Sequence, residues 1–353
     1  MTIRVGLIGC GYWGPNLIRN FFKNEDSELV LAADLDRNRL QAIQRPFPSL
    51  QTTTSTGRVL EDDSIDAVVI ATPISTHFSL AKEALMRGKH VLVEKPLTET
   101  ASQSEELVRL ADRAGKVLMV DHTFIYTGAV GKIKELIDCG ELGEIYYYDS
   151  VRVNLGLFRS DVNVIWDLAP HDFSLMLHLL GKKPVRVTAT GSAPVRWPNW
   201  NLESIAYVSI EFEDRTLAHF HINWLSPVKV RKTLIGGSRK MVIYDPLDPD
   251  NEVKVFDKGV EVHSQTHRHR TLVQYRTGDI LLPKIDQTEA LESVCNHFVS
   301  CIRTGRRPLT DGSSGLEVVR LLEAAQCAME TGKPVDYEFF TNHHELFRRR
   351  TIA

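Results

Sequence analysis

Gly9-Cys10-Gly11-Tyr12-Trp13-Gly14 has the spacing G-x-G-x-x-G, between an apolar run, Ile3–Ile8, and a helical pattern that continues to Phe22. That context makes the glycines a candidate dinucleotide cradle. Gly9 permits a tight turn, Gly11 lets backbone approach a pyrophosphate, and Gly14 allows close helix–strand packing, with phosphates at the helix N-terminus. Tyr12 and Trp13 come with the cradle as candidate cofactor contacts. Asp34 ends the next apolar run, 20 residues beyond Gly14, where an acid bonds the adenosine ribose hydroxyls. Its charge repels a 2′-phosphate, which favours NAD over NADP. Arg37 and Arg39 close by keep NADP open, and Asp36, two residues on, is the competing acid.

Three further groups stand at expected element ends. Thr72-Pro73 closes the apolar run Ala67–Ala71, with His77 five residues on, at the carboxyl edge where open α/β sheets bind ligands. Glu94-Lys95-Pro96 closes Val91–Val93 on the same edge. The proline pushes Lys95 into an extended conformation and aims a cation toward the nicotinamide end of the cleft. Asp167 and His171 share a helix face at i and i+4, so the carboxylate could orient the imidazole and support its protonated form. The competing reading makes Asp167 a helix cap and Asp172 a first-turn acid facing the helix dipole.

The elements that must carry these groups alternate over the first 120 residues: apolar runs at Ile3–Ile8, Leu29–Ala33, Ala67–Ala71, Val91–Val93 and Val117–Val120, separated by helical patterns. That is a β-α-β series and predicts a doubly wound parallel sheet. After a helix near Val130–Cys139, period-2 alternation takes over at Ile145–Val153, Val185–Gly191, Ala206–Phe212, Thr216–Trp224, Lys232–Ile235 and Lys240–Tyr244, predicting a mostly antiparallel sheet. Helices close the chain near Glu289–Thr304 and Gly315–Thr331, and Val262–Ile285 reads as loop. The expected domains are 1–121 and 122–340, with a tail at 341–353. The fold class is α/β with a second, α+β domain.

Composition narrows the partners. With 353 residues, two domains are expected. The 42 basic and 45 acidic residues leave a net charge of −3, which offers no excess for nucleic acid or a membrane surface. No apolar stretch approaches the ~18 residues of a membrane span, and Met1-Thr2-Ile3-Arg4 runs directly into a strand pattern without a signal-peptide core. A cytoplasmic protein is expected. The five scattered cysteines, without C-x-x-C, argue against a disulfide framework or zinc site. His263, His267 and His269 look like a metal cluster but lack an acidic partner, so no metal is expected.

In their order and spacing, Gly9–Gly14, Glu94-Lys95-Pro96 and Asp167-x-x-x-His171 resemble the glucose–fructose oxidoreductase, inositol dehydrogenase and rhizopine catabolism (Gfo/Idh/MocA) family, over nearly the whole chain. The resemblance implies a Rossmann domain and a C-terminal domain whose open sheet packs in homodimers or homotetramers. It implies nicotinamide-linked oxidation or reduction of sugars, sugar nucleotides or cyclitols, with Lys95, Asp167 and His171 as the catalytic group. The chain departs from the commoner pattern at Asn163-Val-Ile-Trp166, where a glycine-rich run often stands, and at Ile125-Tyr126-Thr127-Gly128, where an Arg-x-x-Pro often stands. Gly-Tyr-Trp-Gly-Pro-Asn and Trp-Asp-Leu-Ala-Pro-His resemble a subgroup found among sugar-nucleotide 3-dehydrogenases. Candidate substrate contacts are His122, Tyr126, Arg152, Asn154, Arg159 and Trp166, and Arg231, Lys232, Arg239, Lys240, Arg268 and Arg270 could serve an anionic substrate. The favoured substrate is a nucleoside-diphosphate sugar. The rivals are a cyclitol, a redox-neutral glycosidase that uses bound NAD, and a nucleotide-sensing protein without catalysis.

Overall fold

The structure is a computed structural model that describes residues 2–156, 158–159, 161–195, 201–263 and 272–343. It divides into two units, Met1–Thr127 with Thr288–Arg320, and Gly128–Gln287 with Leu321–Ala353. The first boundary falls beyond the expected residue 121. The segment from Thr288 to Arg320 belongs with the first unit and not with the expected 122–340 domain.

The first unit is a parallel sheet with helical crossovers. Its elements are β1 (Ile3–Ile8), α1 (Gly14–Lys23), β2 (Ser27–Ala33), α2 (Arg37–Gln44), β3 (Gln51–Thr53), α3 (Thr56–Glu61), β4 (Ala67–Ile70), α4 (Ile74–Met86), β5 (His90–Glu94), α5 (Ala101–Ala114) and β6 (Leu118–Asp121). Strand order is β3-β2-β1-β4-β5-β6, so the order reverses beside β1. That reversal is the switch point where ligands of open α/β sheets bind. β4 is buried at all four positions, as a strand covered on both faces must be. A 3-10 turn, Thr123–Tyr126, follows β6.

The second unit begins with α6 (Gly128–Asp138), β7 (Ile145–Leu155) and α7 (Val164–Leu180). It continues through β8 (Pro184–Ser192), β9 (Ile205–Phe212), β10 (Leu217–Asn223), β11 (Leu225–Gly237), β12 (Met241–Tyr244), β13 (Val253–His263) and β14 (Leu272–Leu281). Then come α8 (Ala290–Thr304), which belongs to the first unit, α9 (Gly312–Thr331) and β15 (Val335–Asp336). The sheet order is β14-β13-β12-β11-β7-β10-β9-β8-β15. Its one parallel pair among the described strands is β7 with β10. Ala218, Phe220 and Ile222 of β10 alternate inward toward α7, where Phe173 meets Phe220 edge-to-face. The stretch read as loop contains β14, paired antiparallel to β13.

α8 explains why the chain returns to the first unit. Its Leu291, Val294, Cys295, Phe298 and Val299 join Leu17, Ile18 and Phe21 of α1 in one buried cluster. Phe21 and Phe298 meet edge-to-face at 6.5 Å. At β6, Val120 N–H donates to Thr310 O (2.8 Å), and Thr310 Oγ1 donates to Val120 O (2.7 Å). The same segment thus supplies both apolar and ladder partners to the parallel sheet.

Candidate active site

The glycine turn has the shape its spacing implies. Gly9 has φ +103°, and a Cβ there would lie 2.4 Å from Ala71 O. A Cβ on Gly14 would lie 2.3 Å from Gly9 O, so both positions exclude any side chain. A Cβ on Gly11 would meet only Arg39 Nη1, at 3.7 Å. The turn is therefore open on the Gly11 side. Trp13 caps α1 without a side-chain hydrogen bond, and Pro15 occupies the first turn. The leading N–H groups of α1 are left to an anion. Tyr12 is almost fully exposed and meets Trp13 edge-to-face at 5.4 Å.

Asp34 does more than close β2. Its Oδ2 accepts from Cys10 N–H (2.7 Å) inside the turn, and its Oδ1 accepts from Asp36 N–H (2.8 Å). The carboxylate holds the cradle as well as standing at the ribose position. Asp36 is the cap of α2, through Asn38 N–H at 2.8 Å, which removes it as the competing acid. Arg39 Nη1 lies 3.6 Å from Asp34 Oδ2, and Arg39 Nε lies 3.7 Å from Asp36. An open glycine turn, a helix start without a side-chain cap and an acid at the end of β2 fit the adenosine diphosphate half of NAD.

Thr72 and Pro73 join β4 to α4 at the same edge, with Thr72 Oγ1 2.6 Å from Thr76 Oγ1. His77 is corrected from cofactor contact to internal tie. Its ring nitrogens lie 2.9 Å from Pro96 O and 2.8 Å from Thr72 O, and the ring is 1% exposed. Burial lowers its pKa against the pull of those carbonyls. His77 therefore fixes the two loops that carry Thr72 and Lys95. Lys95-Pro96 is a cis peptide, and Glu94 and Lys95 are both half-buried at the end of β5.

One strand over, His122 is 1% exposed, and neither ring nitrogen has a partner among the described residues. Burial, and then the Lys95 charge, push its pKa down to about 3, so the imidazole is neutral with one donor and one acceptor to offer. Tyr126 is differently placed. Its hydroxyl lies 3.0 Å from Thr310 Oγ1 and its ring packs on His297, with the phenol pushed up by burial. These contacts pack it against the returning segment.

In the second unit, α7 starts at Val164, three residues before the expected Asp167. Asn163 is its cap, accepting from Ile165 N–H (3.1 Å) and Trp166 N–H (3.2 Å). The Asn163 departure from the family pattern is thus a cap, and Asp167 is released from that duty. Asp167 Oδ2 accepts from Trp224 Nε1 (3.1 Å), and Oδ1 faces Arg159 Nη1 at 3.7 Å. Arg159 also pairs with Asp161 at 2.8 Å. Trp224 had gone unnoticed in the sequence; it follows β10 directly, and its ring also meets Phe158. His171, Trp166 and Asn154 are half-buried.

Arg152 is corrected. Its Nε and Nη2 donate to Asp172 at 2.5 and 3.2 Å, and Ser150 Oγ donates to the same carboxylate at 2.9 Å, all three side chains buried. Asp172 is not a first-turn acid facing the helix dipole; it is the partner α7 supplies to the sheet. Lys232 pairs with Asp245 (3.1 Å) and Lys240 with Glu141, while Arg239 reaches Gly140 O. Of the expected basic residues, these three each have a separate partner among the described residues. Arg268, Arg270, His267 and His269 lie outside the described residues, as does the side chain of His263.

The chain belongs to the Gfo/Idh/MocA oxidoreductases. Residues 3–122 match the family's NAD-binding Rossmann fold, and residues 130–243 match its C-terminal domain. It is an NAD-binding oxidoreductase. It is 32% identical to the oxidoreductase YdgJ of Escherichia coli (strain K12), over 71% of this chain and 73% of that one. It is 25% identical to an NAD-dependent scyllo-inositol 2-dehydrogenase of Bacillus subtilis (strain 168), over 95% and 96%. The solved UDP-N-acetylglucosamine 3-dehydrogenase of Acidithiobacillus ferrooxidans superposes with a TM-score of 0.77 at 26% identity, over 94% of this chain and 99% of that one. Among the described residues, no helix is long and apolar enough to cross a membrane.

Proposed function

We propose that the protein is a dehydrogenase acting on a secondary hydroxyl of a sugar, with a nucleoside-diphosphate sugar as the favoured substrate. The observation that carries the reading is the carboxyl edge of the parallel sheet. There one nucleotide cradle and one strand-end lysine stand beside a buried, neutral histidine with uncommitted nitrogens. Gly9, Gly11, Gly14, Tyr12, Trp13 and Asp34 would hold the adenosine diphosphate of NAD, with Thr72, Pro73, Glu94 and Lys95 toward its nicotinamide. Bound NAD supplies the hydride acceptor.

The chain's own residues handle the proton and the charge. His171 takes the proton from the substrate hydroxyl at an imidazole nitrogen, histidine being the side chain most often used for such proton transfer. Asp167, tied to Trp224 and Arg159, orients it. The Lys95 ammonium favours the alkoxide character that develops on the oxygen. His122, Asn154 and Trp166 contact the sugar, and Arg159 and Arg231 are the cations for an anionic group. The likeness to UDP-N-acetylglucosamine 3-dehydrogenase supports the nucleotide reading. The commitment of Arg152 and Lys232 to acids supports a second one, an uncharged cyclitol. Self-association through the uncovered face of the second sheet, where Tyr207 and Leu217 are exposed, accords with the resemblance.

The deciding experiment measures binding and turnover with NAD present for UDP-N-acetylglucosamine, free N-acetylglucosamine, myo-inositol and scyllo-inositol. A charged hydrogen bond to phosphate contributes about 1.5–3 kcal/mol, or roughly 10- to 100-fold. A nucleotide-linked sugar should exceed its free sugar by that factor. Equal affinity within the pair, or turnover of the inositols alone, transfers the assignment to cyclitols. Glycoside cleavage without net NADH would sink both.

A further inference from the structure

Glu94 and Asp121 end neighbouring parallel strands, and the register sets them side by side. Asp121 is 1% exposed. Its Oδ1 accepts from Thr123 Oγ1 at 2.7 Å, but its buried Oδ2 meets no N–H or O–H among the described residues. Its neighbour in the register is the Glu94 carboxyl, and each acid acts on the other. Two carboxylates offer only acceptors, so the contact becomes a bond only when one of them keeps its proton. Two neighbouring carboxyls, one of them 1% exposed, resist ionising together.

We propose that Glu94 and Asp121 share a single proton, and that the one negative charge left on the pair positions the Lys95 ammonium. The proposal rests on the reading of Lys95 given above. It is a role for two positioning residues, Glu94 and Asp121.

The surroundings agree. Burial first, then the neighbouring Asp121, lift Glu94 well above the ordinary carboxyl range. Burial lifts Asp121 to about 6, against the lowering pull of Thr123, Glu94 and Lys95. The other titratable groups near the pair in this unit carry no compensating charge. His122 is held neutral, and the Tyr126 phenol of the 3-10 turn and the Cys295 thiol of α8 are both pushed up by burial. Lys95 is the cation whose charge acts on both carboxyls. A pair with two charges would draw the ammonium down onto itself, and a pair with none would not hold it. One charge engages part of the ammonium and leaves donors for a substrate oxygen.

The test uses the full chain saturated with NAD and needs no substrate. Carboxyl 13C resonances of Asp and Glu, assigned with Asp121→Asn and Glu94→Gln, are followed against pH. One carboxyl of the pair should remain protonated at pH 7. In Asp121→Asn, where the amide stands in for the protonated acid, the remaining Glu94 should ionise at least ~1 pH unit lower. Both carboxyls ionised at pH 7 in the unaltered chain overturns the shared proton. If Asp121→Asn fails to fold, Glu94→Gln makes the same test from the other side.

The ε-carbon resonance of Lys95 reads the second half of the proposal. The double variant Glu94→Gln/Asp121→Asn should lower the Lys95 pKa by about 1 unit or more, and the single variants should lower it much less. An unchanged Lys95 pKa in all three overturns the positioning role. Turnover surviving in Lys95→Ala is a different failure: it removes the catalytic reading of Lys95, and the proton measurement is still decided by the carboxyl resonances.

Discussion

Asp121 and Asp172 are both buried acids, one in each unit, and their surroundings are opposite. Asp172 faces a guanidinium and a hydroxyl that satisfy both its oxygens. Asp121 faces another acid and keeps an oxygen without a donor. The first arrangement closes a sheet against a helix. The second stores electrostatic tension at the edge of a nucleotide-binding sheet. Buried polar groups cost free energy unless they are paired, so the satisfied acid marks architecture and the unsatisfied one marks a place where a ligand or proton completes the set. The contrast repeats among histidines, since among the described residues His77 is engaged on both nitrogens and His122 on neither.

His171 and Asp172 are adjacent residues of α7 with different expected roles, one in the chemistry and one in the packing, and this is where the largest effects are expected. His171→Ala and Lys95→Ala should lower turnover by about 10²–10⁴ while NAD binding and the melting temperature stay near those of the unaltered protein. More than about a tenth of the activity left in either variant removes that residue from the chemistry. Asp172→Ala should act on stability instead. It leaves Arg152 buried without its anion, at about 3–5 kcal/mol, readable as a lower denaturation midpoint. The double variant Arg152→Met/Asp172→Leu should recover most of that loss, because removing both charges removes the desolvation cost. Failure to recover would mean that the pair holds the α7 backbone in place in addition to balancing charge.

The next effect in size tests the nucleotide edge. Asp34→Asn removes the charge that repels a 2′-phosphate, and Arg39 already stands 3.6 Å away. The preference for NAD over NADP should narrow by roughly 10-fold or more, the worth of a charged hydrogen bond gained. Fluorescence titration of both cofactors on both proteins measures it. Tighter NADP binding by the unaltered chain would show that Arg39 already reads a phosphate.

What could be read from the sequence follows from the range of the interaction that fixes each residue. The glycine turn, Asp34 and the strand-end Lys95 depend on contacts within one β-α-β unit, and local spacing carries them. The parallel and antiparallel sheets follow from the change in apolar period after residue 122. The partners of Arg152 and His77, Asp172 and Pro96, reach them only through tertiary packing, which local spacing does not carry. Asp121 escaped notice because the apolar run Val117–Val120 ends one residue short of it. β14, Leu272–Leu281, carries Thr277, Gly278 and Asp279 in place of alternation, so its pairing with β13 left no periodic signal. The return of Thr288–Arg320 to the first unit is likewise a matter of which apolar face meets α1, which an amphipathic helix alone does not specify.

The smallest predicted effect compares the two ends of one strand. Glu94 ends β5 beside the unsatisfied acid, and His90 begins it at the opposite edge, with Nδ1 accepting from Val117 N–H at 2.9 Å. That bond requires an unprotonated Nδ1, and burial, then Lys116, push the pKa of His90 down to about 4. In the unfolded chain an imidazole takes up its proton near 6.5. Between those values the unfolded state binds more protons, so His90 contributes stability that is complete above about 6.5 and is lost as pH falls toward 4. Glu94 and Asp121 act with the opposite sign, since their raised values make the folded state the better proton acceptor. His90→Asn keeps an oxygen that can accept from Val117 N–H and removes the titration. The fall in melting temperature from pH 7 to pH 5 should therefore be smaller in the variant, by on the order of 2 °C once solvent screening at a half-exposed site is allowed for. The acids of the pair are present in both proteins, so the difference isolates His90. Equal falls in the two proteins would show that the His90 ring takes up its proton without losing its bond. The contrast between the two ends of β5 would then reduce to exposure alone.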